Sequence, residues 1–78
     1  MTQAKKQASS ATGVSNPTYN AMTVLTNKLQ GIATIEQYKQ DIDGDQELLQ
    51  CFEQIQERDK EHVDKLRDLV AQRLQQQQ

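Results

Sequence analysis

Seventy-eight residues with a formal net charge of −2 and a single cysteine, Cys51, leave room for one domain with a marginal core and exclude an intramolecular disulfide. No uninterrupted apolar run approaches the roughly 20 residues of a membrane span, and no apolar segment follows Lys5 and Lys6 as a secretory leader requires. A soluble, cytoplasmic protein with no membrane partner is expected. The charge is divided between two basic residues near the start and an acidic excess after Pro17, which argues against a phosphate-binding surface and hence against a nucleic-acid partner.

Residues 1–15 are mostly Ser, Thr, Ala, Gln, Lys and Gly without a sustained period, a composition that buries too little apolar surface to offset the entropy of ordering. They read as a disordered tail. Asn16 and Pro17 then supply a helix start, a capping side chain followed by a ring suited to the first helical position. Helix one is expected over about 17–42, with Met22, Leu25, Leu29 and Ile32 forming a stripe that drifts through Ile35, Tyr38 and Ile42. Gly31, inside it, costs about 1 kcal/mol relative to Ala, which is tolerable where another helix comes close.

The segment Asp41 to Asp45 breaks the pattern, with Gly44 suited to the left-handed conformation and Asp43 or Asp45 able to cap the next helix. Helix two is expected over about 46–74, with Leu48, Phe52, Ile55, Leu66 and Leu69 on one seam and Leu49, Val63, Val70 and Leu74 beside it. Residues 75–78 read as a frayed polar end. The fold class is all-α, an antiparallel two-helix hairpin. Two helices cover each other on one side only, so a homodimer completing a four-helix bundle, with coiled-coil-like packing, is the simplest completion.

Extending the apolar series places Glu36 on the stripe of helix one and Asp59 and His62 on that of helix two. Unpaired carboxylates facing a core are costly, so these three invite mutual pairing, lysine partners or a metal ion. A Glu on one helix with a carboxylate three residues before a His on the next is how di-iron and di-manganese bundles hold their metals. If the turn centres on Gly44, Glu36 and Asp59 differ by roughly 10 Å in height, so Glu36, Asp59 and His62 would meet only across a dimer. Asp59 stands where that motif has Glu, and Glu57 lies one position too far upstream.

Asp41, Asp43 and Asp45 match the first, third and fifth places of a calcium loop. The sixth, which requires Gly, is Gln46, and the twelfth, which requires Glu, is Phe52. A capped turn is therefore expected instead. Cys51 is expected as a buried, inert thiol, and His62 has no Ser or Cys at a suggestive spacing, so no catalytic pair is visible. Tyr19 and Tyr38 are expected at the edge of the core with hydroxyls in water.

Through Tyr19–Leu25, Lys28–Gly31, Gly44–Leu48 and Phe52–Asp59, the stretch from Pro17 to Leu74 resembles a group of short bacterial helical-hairpin proteins that look like half of a ferritin-like four-helix bundle. The resemblance implies assembly into such a bundle, with metal handling as an added capacity. Three functions arise as expectations: a non-enzymatic, homo-oligomerising hairpin with a structural or protein-interaction role and no cofactor; a ferritin-like bundle binding iron or manganese across a dimer; or an adaptor hairpin docking on a larger protein.

Overall fold

A computed structural model describes residues 11–76. Among them are two long helices, α1 (Asn16–Lys39) and α2 (Gln46–Gln76), packed against each other. Late residues of α1 meet early residues of α2, as in Lys39 with Glu53, and earlier ones meet later ones, as in Lys28 with Asp59, so the helices run antiparallel. No helix among the described residues is long and apolar enough to cross a membrane.

Residues 1–10 of the expected tail lie outside the described residues, as do Gln77 and Gln78. Ala11 and Thr12 have helical backbone, and Gly13 turns the chain at φ 70°. The cap of α1 falls one residue earlier than expected. Ser15 is extended at φ −62° and ψ 152°, its carbonyl accepts the Tyr19 N–H at 2.9 Å, and its hydroxyl donates to Thr18 Oγ1 at 3.0 Å. Asn16 and Pro17 thus open the first turn, where the missing proline N–H costs nothing.

At the other end α1 stops at Lys39, short of Ile42, because the next three N–H groups bond three residues back rather than four. That tightening turns the chain out of the helix. Gly44, at φ 79°, completes the reversal in the conformation expected of it. Of the two candidate caps, Asp45 takes the role: its Oδ1 accepts the Leu48 N–H at 3.1 Å, and its carbonyl accepts the Leu49 N–H at 3.1 Å.

The packed face differs from the expected stripe. The main line of burial on α1 follows Thr18, Ala21, Leu25, Lys28, Ile32, Ile35 and Lys39, and on α2 Leu49, Phe52, Gln56, Asp59, Val63, Leu66 and Val70, with Asn16, Gly31, Thr34, Leu69 and Leu74 also partly covered. The main line advances in alternating steps of three and four, the 3.5-residue spacing that keeps two helices in register over their length. Met22 and Leu29 therefore sit beside the seam, Leu29 at 50 % exposure, and Leu48 and Ile55 are half-exposed as well. Of the polar residues in the seam the sequence expectation had only Asp59, whereas the seam also passes through Lys28, Lys39 and Gln56, whose stems pack while their heads find partners. Only Val63 and Val70 among the described residues are buried hydrophobics, at 6 % and 8 % exposure.

Candidate functional site

The polar positions of the seam form two cross-helix groups. In the first, Lys28 Nζ lies 3.0 Å from Asp59 Oδ1, so Asp59 does occupy the seam and its partner is a lysine. Burial of most of the Asp59 side chain shields this pair more than a surface pair, while the half-exposed lysine keeps its hydration. In the second, Gln56 Nε2 donates to the Ile32 carbonyl and to Glu36 Oε1, each at 3.1 Å, and Lys39 Nζ reaches Glu36 at 3.0 Å and Glu53 at 3.9 Å. Hydrogen bonds from Lys39 and Gln56, and then the lysine's charge, hold the Glu36 carboxyl below its ordinary value of 4.5.

Neither Gln56 nor the two lysines stand out in the sequence as site residues. The signal that finds them is the strict 3.5-residue spacing, which passes through all three. The two groups lie eight residues apart on α1, from Lys28 to Glu36, or about 12 Å along its axis. Glu36 and Asp59 are thus held at different heights, as the expected turn requires.

The seam divides the hairpin into two flanks. Val24, Lys28, His62, Lys65, Leu66 and Leu69 line one groove, and Val24, Asn27, Lys28, Gly31 and Asp59 line the next. Seven-residue steps extend this flank to Tyr38 on α1 and to Ile55 and Leu48 on α2. Four of the large exposed hydrophobics, Val24, Tyr38, Leu48 and Ile55, belong to it. The opposite flank carries Glu36 and Glu53, with Met22 and Leu29 preceding Glu36 on α1, and Lys60 and Arg67 following Glu53 on α2, again at seven-residue steps. One flank is apolar; the other is charged along α2.

Within one chain the structure therefore does not bring Glu36, Asp59 and His62 together. Glu36 is on the charged flank, Asp59 is in the seam, and His62 is exposed on the apolar flank. Among the described residues no group of three metal-ligating side chains converges. Cys51 is exposed rather than buried. With Leu49 and Phe52 facing α1, Cys51 lies about 100° round the helix from Phe52 and about 200° from Leu49, on the outer side. Tyr19 and Tyr38 are also open to water, Tyr38 at 54 % exposure.

The cavity at the open end of the hairpin, between Ser15, Pro17, Thr18 and Ala21 on one side and Leu66, Leu69, Val70 and Arg73 of α2 on the other, has mainly apolar walls. The polar side chains of the seam are all spoken for: among the described residues, no buried side-chain nitrogen or oxygen lacks a partner. Such a seam sets register between the two helices. The chain matches no family model, no curated protein and no solved structure.

Proposed function

We propose that the chain is a non-enzymatic helical hairpin with a structural or protein-interaction role, which self-associates so that two hairpins form a four-helix bundle with coiled-coil-like packing. The observation that carries this reading is the mismatch between core and surface. Two hydrophobic side chains are buried among the described residues, while seven large ones stay at least two-fifths exposed. A helix pair on its own leaves one side of each helix uncovered, and helical domains gain stability by adding neighbours until those sides are buried. The satisfied polar seam also favours an assembly element, since it fixes how the two helices are set.

Sedimentation equilibrium over a range of concentrations, with helicity followed by circular dichroism on the same samples, tests this. A dimer mass with helicity that falls on dilution is expected. A monomer that keeps full helicity and a cooperative thermal transition at every concentration would overturn the reading.

A further inference from the structure

Resting on that reading, we infer that two copies pair through the apolar flank, the one bearing Val24, Gly31, Ile55 and His62, and that Gly31 marks where the second copy comes closest. The charged flank then stays in water. Three observations converge on this surface and on this occupant.

The first is size. α1 has 24 residues and so is about 36 Å long, and two helices side by side present a strip about 20 Å wide, or roughly 700 Å². A stable pair of proteins buries about 800 Å² on each partner. One flank of this hairpin is the right size for a second hairpin.

The second is charge. The seven-residue lines of the apolar flank, through Val24 and Gly31 on α1 and through Ile55 and His62 on α2, contain no Asp, Glu, Lys or Arg, and of the charged residues that line its grooves Lys28 and Asp59 pair with each other while Lys65 is exposed. A two-fold interface sets the same surface against itself, so a line free of like charges is what self-pairing requires. The other flank places Glu53, Lys60 and Arg67 along α2, and covering it would desolvate all three.

The third is Gly31. A glycine within a helix is unfavourable, and the usual return is a close approach of another element. Here a side chain at position 31 would meet nothing within 4 Å in its own hairpin, so α2 does not supply that approach. A second copy seated on this flank does. Glu36 then remains on the outside of the dimer, away from His62.

Sedimentation equilibrium of three variants decides the matter, with helicity recorded for each. Ile55→Glu is expected to raise the dimer dissociation constant about tenfold or more, because the added carboxylate would be buried without a partner. Leu29→Glu, also at an exposed position but on the charged flank, is expected to leave it unchanged. Gly31→Leu keeps or raises helicity, since the position is open within the hairpin and Leu is a strong helix former, yet it is expected to weaken the dimer about tenfold. Dissociation by Leu29→Glu, or dimers unaffected by Ile55→Glu and Gly31→Leu, would overturn the assignment of the flank while leaving self-association in place. A monomeric parent chain would overturn self-association itself.

Discussion

Lys28 of α1 and Asp59 of α2 form an ion pair of 3.0 Å within the seam that joins the two helices. The neighbouring layers are Leu25 with Val63 on one side and Ile32 with Gln56 on the other. Such a pair has one preferred axial position, because sliding either helix by a turn would set Asp59 against Leu25 or Ile32. Asp59→Leu is expected to lower stability by about 1 kcal/mol, through loss of the pair and of the lysine's local partner. The double variant Lys28→Met, Asp59→Leu is expected to recover that loss, since well-packed apolar replacements of a shielded pair are often neutral or better. Urea unfolding of both variants checks this, and a double variant no more stable than the single one would remove the pair from its role in the seam.

Val63 and Val70 are the deepest hydrophobic side chains among the described residues. Replacing either with Ala removes two methyl-sized groups, about 1.6 kcal/mol at roughly 0.8 kcal/mol per group. In a small hairpin that is a large share of the total stability. A drop in the midpoint of thermal unfolding is expected for each, larger than for Leu29→Ala at the half-exposed position.

The turn rests on two local devices. Asp45→Ala removes the acceptor of the Leu48 N–H and is expected to cost about 1 kcal/mol. Gly44→Ala places a side chain at φ 79° and is expected to cost about as much, through strain rather than through a lost contact. Hydrogen exchange at Leu48 and Leu49 would separate the two, since only the Asp45 variant frees a specific N–H.

Glu36 makes stability depend on acidity. Its folded value lies below 4.5, lowered by its hydrogen bonds to Lys39 and Gln56, so its contribution is complete above 4.5 and disappears as the pH falls through the lower, folded value. The carboxylate is at the surface and the effect is small. Urea midpoints measured from neutral pH to below 4.5 are expected to fall more steeply in the parent chain than in Glu36→Gln. Equal slopes would mean that the carboxylate's partners add nothing in solution.

Much of the hairpin is legible in the sequence because its determinants are local. Pro17, Gly44 and Asp45 act through their own backbone geometry or that of residues three or four away, and such effects need no knowledge of the rest of the chain. The same holds for the spacing of Leu25, Ile32 and Ile35 on α1 and of Phe52, Val63 and Val70 on α2. Those residues announce a covered face on each helix before any partner is known.

Tertiary structure alone decided which of several nearby stripes faces inward. Met22 and Leu29 are as apolar as Ala21 and more so than Lys28, yet the inward line runs through Ala21 and Lys28. Hydrophobicity ranks residues one at a time, whereas a seam is chosen by the whole set of pairs it creates. Lys28 could enter it because Asp59 lay opposite, and Gln56 because the Ile32 carbonyl and Glu36 were within reach. The division into an apolar flank and a charged one results from that choice. It separates Glu36 from His62, which share no flank of the hairpin although each had stood on an apolar series in the sequence. Periodicity thus determined that two helices would pack; only the pairing of polar groups far apart in the chain determined how.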